Sequence, residues 1–229
     1  MRSLNLDVDL REHQYRKNSG ILMKYIPEPA VTLIARWIVE FDFKLKITRE
    51  RNSRLGDYTA PRNGSNHTIT INHNLNKYAF LITLVHEVAH LQTYNQHKDN
   101  VNPHGEEWKA NFRGLMQPFL NTEIFPLEVF SALRRYLNNP AASSCSDANL
   151  LKTLKLHDEN GSTVFLEYLP ENSIFIFNGS RIFRKGAKLR KRYKCTELHT
   201  GNIYLFNQLA EVELFNEGEH GAYPATKSA

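Results

Sequence analysis

The sequence predicts an α+β fold with two parts, a helical part around a short mixed or antiparallel sheet and a small all-β module after it. Three observations predict this. Apolar residues recur at helical spacing around Ile34 and again from Phe80 to Leu91, and two short segments between them alternate apolar with polar residues. Past residue 150 closely spaced strand signals replace the helical periods, with Gly-containing turns between them. The chain of 229 residues is long enough to bury a sizeable core.

Residues 1–26 read as a polar, irregular arm. Pro27 and Pro29 then open an amphipathic stretch, Ala30 to Phe43, in which Val31, Ile34, Ala35 and Ile38 mark a core-facing helix. Phe43 to Thr48 alternates as a half-buried strand does. The segment LGDYTAP, Leu55 to Pro61, is a candidate second strand, Asn63-Gly64 a turn, and His67 to Asn72 a further strand with Ile69 and Ile71 on one face. From Tyr78 to about Gln96 the three- and four-residue spacing of Phe80, Leu81, Leu84, Val85, Val88 and Leu91 predicts a buried helix. A polar loop, Asn95 to Pro103, separates it from a helix at Glu106 to Leu115. Pro126 opens another, extending to Leu137. This part spans residues 27–137.

Residues 138–149 are small and polar with one proline, the composition of a linker. Residues 150–216 read as the β-rich module, with strands LKTLKLH, STVFLEYL, SIFIF, LRKRYKCTEL, NIYLFN and AEVELF. Turns fall at Glu159-Asn160-Gly161, Asn178-Gly179 and Thr200-Gly201, and a small barrel or sandwich is expected. Residues 217–229 read as a disordered tail.

Composition excludes several classes. No apolar run is long enough to span a bilayer, and charges at Asp7, Asp9, Arg11 and Glu12 interrupt any export signal at the N-terminus. Two cysteines, Cys145 and Cys195, cannot make a disulfide framework or a four-cysteine zinc site. A cytoplasmic protein, not attached to a membrane, is expected. The net charge of +5 is only a mild pointer to an anionic partner.

The chemistry lies in His86-Glu87-Val88-Ala89-His90. Histidines four apart on a helix project from one face and can share a zinc ion, and Glu87 beside them can reach a zinc-bound water. Two exposed histidines on an ordinary helix are the plain alternative, but apolar neighbours put this pair at a core boundary or cleft. A catalytic site wants a third protein ligand and one open position. His97 sits about two helical turns beyond His90, too far along the axis. Glu106 and Glu107 are the carboxylate candidates. His104 follows a polar loop and Pro103, which lets the chain turn back, and it is favoured on reach and chemistry. A second donor for the oxyanion is left open among Tyr94, Tyr78, His73 and loop residues, while His67 and His73 read as surface residues at strand ends.

His86-Glu87-x-x-His90, a loop of about a dozen residues, then His104-Gly105-x-x-Trp108 resembles the SprT family of zinc peptidases, which includes the Spartan DNA–protein crosslink proteases. LGDYTAP and HTITIN resemble that family's strands before its active-site helix. The resemblance implies a zincin-like catalytic domain holding one Zn2+ on His86, His90 and His104, with Glu87 as the catalytic base of a metalloendopeptidase. It also implies a tight turn at Gly105 and a packing role for Trp108. A protein substrate is implied, and DNA, single-stranded or crosslinked to protein, as a partner. A nucleic-acid- or transcription-associated accessory protein with little proteolysis is the alternative. A general peptidase without a nucleic-acid link is a third reading.

Arg181, Arg184, Lys185, Lys188, Arg190, Lys191, Arg192 and Lys194 form a cationic run without an acid, interspersed with Phe183 and Tyr193. Such a run suits phosphate backbones, with the aromatics as platforms for bases. The plain alternative is a solvated hairpin whose charges protect an edge strand. Many SprT-like proteins carry a four-cysteine ribbon at this end. Only Cys195 lies here, so no second zinc is expected.

Overall fold

The computed structural model describes residues 2–51, 54–62, 64–141, 147–159, 161 and 163–216. The tail from Glu217, the centre of the expected linker with Cys145, and one residue each of two expected turns (Asn63 and Asn160) lie outside these. The chain forms two compact units, residues 1–158 and 159–229. Together the described residues carry six α-helices and two sheets.

In the first unit, α1 (Arg2–Leu22) replaces the expected irregular arm. The segment has no apolar stripe, so periodicity could not reveal it. It has no proline either, and the helix is supported by a Glu12–Arg16 pair one turn apart and by Leu22 packed in the core. Pro27 precedes α2 (Glu28–Glu40), which buries Ala30, Val31, Ile34, Ala35, Trp37 and Ile38. Asp42, with a positive φ of 48°, turns the chain into β1 (Phe43–Thr48). β2 (Gly56–Thr59) and β3 (His67–Asn72) complete a three-stranded sheet in the order β1-β3-β2. β1 runs parallel to β3, and β2 antiparallel to it with Tyr58 opposite Ile69. β2 is therefore an edge strand.

The next helix, α3 (Lys77–His97), packs against β2 and β3 and against α4 (Glu106–Met116). It is buried on almost every side from Ala79 to Ala89, which makes it the central rod of the unit. Asn76 caps it, its side-chain oxygen accepting from Tyr78 N and Ala79 N. α5 (Leu127–Leu137) buries Val129, Ala132 and Leu133 in the same core.

LKTLKLH is not a strand. It lies mainly in α6 (Ala148–Lys155), capped by Asp147 and anchored by Leu150 and Leu154, one turn apart and buried. Asn76 Nδ2 donates to Leu154 O (2.8 Å) and Asp158 Oδ1 (2.7 Å), which ties α6 to the start of α3. The division between units thus falls at 158/159 rather than in the expected linker.

The second unit is one antiparallel sheet in the order β4-β9-β5-β6-β7-β8. Its strands are β4 (Thr163–Phe165), β5 (Ile174–Phe177), β6 (Arg181–Lys188), β7 (Arg192–Glu197), β8 (Ile203–Asn207) and β9 (Glu211–Leu214). STVFLEYL splits into β4 and a 3₁₀ turn, Leu166–Tyr168. Asn178 and Gly179 both have positive φ (53° and 75°), as the tight turn joining β5 to β6 requires. Phe175, Phe183, Tyr193, Cys195, Phe206 and Val212 form the core of the sheet's inner face, with Leu166 and Leu169.

Candidate metal centre

α3 sets the site. His86 and His90 face the same way one turn apart, and their Nε2 atoms lie 3.2 Å from each other. Lys98, with a φ of 54°, ends the helix, and the following loop brings His104 back. His104 Nε2 stands 2.9 Å from that of His90 and 3.3 Å from that of His86. His104 itself adopts the left-handed conformation, φ 61°. The expected turn residue, Gly105, has φ −68° and needs no such freedom. Its value is space, since a Cβ there would stand 3.0 Å from Asn102 O and 3.1 Å from Glu107 Oε2.

Trp108, fully buried, packs against all three imidazoles, with ring centroids 4.6 Å from His86, 5.3 Å from His90 and 4.7 Å from His104. Phe112 stacks behind it. The expected packing role is what the structure shows, and it extends to every histidine of the cluster.

Burial, and after it the neighbouring imidazoles, pushes the pKa of His86 down to about 2 and that of His90 down to about 3. Burial also lowers His104. All three shifts favour the neutral ring, the form that presents a lone pair to a metal. Three neutral nitrogens 2.9–3.3 Å apart have the spacing expected of ligands to one ion with bonds of about 2.0–2.1 Å. Their ligand atoms form the only metal-compatible group of three found among the described residues. A three-imidazole donor set fits zinc.

Glu87 is buried, 6% exposed. Its pKa is pushed up to about 8, first by burial and then by Asp57, against the opposing pull of Arg51 and Arg54. The carboxyl lies where β2 crosses α3. A Cβ on Gly56 would come within 2.7 Å of its Oε1. Gly56 is a residue the sequence reading missed. The only available signal was a glycine inside an otherwise strand-like segment.

Tyr58 was missed as well. Its ring lies nearly parallel to that of His90, with centroids 6.5 Å apart, and its hydroxyl meets His67 Nδ1 at 2.8 Å. His67 is thus partnered beside the site rather than a bare surface residue. Tyr94, one turn beyond His90, joins this aromatic group 6.2 Å from Tyr58. The other expected neighbours lie elsewhere. Tyr78 packs on Phe125 and His157, His73 is exposed, Glu106 pairs with Lys109, and Glu107 points to solvent. His97 ends α3 outside the cluster.

Residues 34–127 match the SprT-like family. No curated protein and no solved structure matches the chain. The SprT-like segment contains the three-stranded sheet, α3, α4, the three histidines and Glu87. α1, α6 and the β unit lie outside it.

In the β unit the cationic run divides. Arg184, Lys188, Arg190, Lys191, Arg192 and Lys194 are exposed. Lys185 is buried, its Nζ donating to Leu169 O and standing 4.0 Å from the Tyr193 ring centre. Arg181 pairs with Glu197 at 2.7 Å and lies over Phe183 and Tyr204. Phe183 and Tyr193 are core residues, so the expected aromatic platforms do not exist at these positions. Strand alternation explains it: both side chains point to the sheet's inner face, and only their cationic neighbours face water. Among the described residues, no helix is long and apolar enough to cross a membrane.

Proposed function

We propose that the SprT-like segment is a zincin-like, zinc-dependent metalloendopeptidase acting on proteins associated with DNA. The observation that carries the reading is the meeting of three neutral imidazole nitrogens within hydrogen-bond distance of one another, with a buried carboxyl on the residue next to the first of them. His86, His90 and His104 would hold one zinc ion, which supplies a Lewis acid that polarises the scissile carbonyl and acidifies water.

The remaining work belongs to this chain's residues. Glu87 accepts a proton from the attacking water and delivers it to the departing amine. Its place supports this role: the carboxyl is buried, shielded from bulk water, on the residue that follows the first histidine of the cluster. β2 is an edge strand, so an extended peptide can add to its free side by main-chain hydrogen bonds. Tyr58 and Tyr94 line the same region, and one of them is the second polar group of the site. The six exposed cations of the β unit support an anionic partner, which makes DNA the natural tether.

Glu87→Gln tests the reading. Zinc content should stay at one ion per chain while cleavage falls by about 10²–10⁴-fold. Unchanged cleavage removes the mechanism. A zinc-loaded wild type with no cleavage of any protein, free or DNA-bound, favours a nucleic-acid-associated accessory protein instead.

A further inference from the structure

Gly56 is unexplained by its backbone. The glycines with positive φ are Gly64, Gly179 and Gly201, and Gly56 is not among them. A glycine within a strand costs stability, so its presence in β2 calls for a contact that no side chain would permit. That contact is present: a Cβ built on Gly56 would stand 2.7 Å from Glu87 Oε1, 3.0 Å from Glu87 Cγ and 2.7 Å from Thr83 Cγ2. Thr83 and Glu87 are one turn apart on α3 and both are buried, so neither can swing into solvent without opening the core.

We propose that Gly56 is a positioning residue for the reaction: its missing side chain fixes where the Glu87 carboxylate lies relative to the three histidines. This rests on the peptidase reading above, and it names a determinant outside the histidine–glutamate motif. Any side chain at 56 must push against the acid, because the alternative is to lift β2 off α3. Moving a reacting group by about 1 Å costs about a hundredfold in rate. No imidazole atom is among the three nearest a Cβ at 56, so metal binding should not share the loss.

The test separates the two obstacles. Thr83→Ser keeps the hydroxyl and removes Cγ2, and in that background the two remaining atoms of the three nearest a methyl at 56 both belong to Glu87. We therefore compare Thr83→Ser with Gly56→Ala/Thr83→Ser, each as the full chain, by zinc titration, steady-state cleavage and crystallography. Gly114→Ala is the control, since that helical glycine has open space around it. The expected result is equal zinc affinity, kcat lower by about a hundredfold with KM within about twofold, and a displaced Glu87 carboxylate. Equal kcat, or a carboxylate that superposes on the parent's, overturns the proposal. If the zinc-loaded parent cleaves nothing, the peptidase reading fails, and the carboxylate position in the two crystal structures still decides the role of Gly56. If Gly56→Ala/Thr83→Ser does not fold, Glu87→Asp is added to shorten the acid by one methylene. Restored folding supports the proposal, and continued failure overturns it.

Discussion

At the residue scale, the three histidines differ in how much structure each one needs. His86 and His90 are placed by one turn of helix. His104 depends on a loop that ends in a left-handed backbone conformation, which a non-glycine residue adopts at some cost. His104→Ala should therefore weaken zinc binding by several orders of magnitude while leaving α3 intact, as read by competition with a chelator. Retained affinity removes His104 from the site. The pair on α3 was legible in the sequence because a four-residue spacing maps directly onto a helix face. Gly56 was not, because its reason is a contact with residues 27 and 31 positions away in the chain. Gly105 was read correctly as a constrained position, but for its φ, whereas the constraint is proximity to Asn102 and Glu107.

At the element scale, α6 turns an expected strand into a helix. Leu154 and Leu156 mimic alternation, yet Leu150 and Leu154 carry the packing and Leu156 is 79% exposed. Leu154→Ala should destabilise the first unit by about 2–4 kcal/mol, measured by denaturant unfolding; no change would mean that α6 is not part of that core. β6 was hidden for a related reason. Its basic residues read as surface, while Lys185 is buried on the inner face and the strand shifts register between Lys185 and Lys188. Between β6 and β7, the Arg181 and Thr200 hydrogen bonds hold the pKa of Glu197 down to about 2. A carboxylate so depressed contributes stability that is complete above its unfolded value near 4.5 and is lost as pH falls toward about 2. Unfolding of the β unit should therefore become easier across that window, and Glu197→Gln should flatten the dependence. An identical pH profile in the variant would assign the acid sensitivity to other groups.

At the scale of the whole molecule, the SprT-like segment accounts for residues 34–127, and the chain adds helices on either side of it and an antiparallel β unit after it. The presence of two parts was legible in the composition shift. The boundary was not, because α6 has a polar surface and a short length, and follows a linker-like segment. The exposed cations of the β unit give the nucleic-acid expectation a direct check. Replacing Lys188, Arg190 and Lys191 by Gln should weaken binding to single-stranded DNA and reduce the salt slope by about 0.7 per charge removed. Binding with no salt dependence would contradict the tether.

The central proposal is that Glu87, beside three histidines placed to hold one zinc ion, serves the hydrolysis of proteins held on DNA. Cleavage of a DNA-bound protein by the zinc-loaded full chain, compared with Glu87→Gln, tests it most directly. The account predicts cleavage that DNA stimulates in the wild type and that is lost in the variant with zinc still bound. Equal cleavage by both, or none by a zinc-loaded wild type, would contradict it.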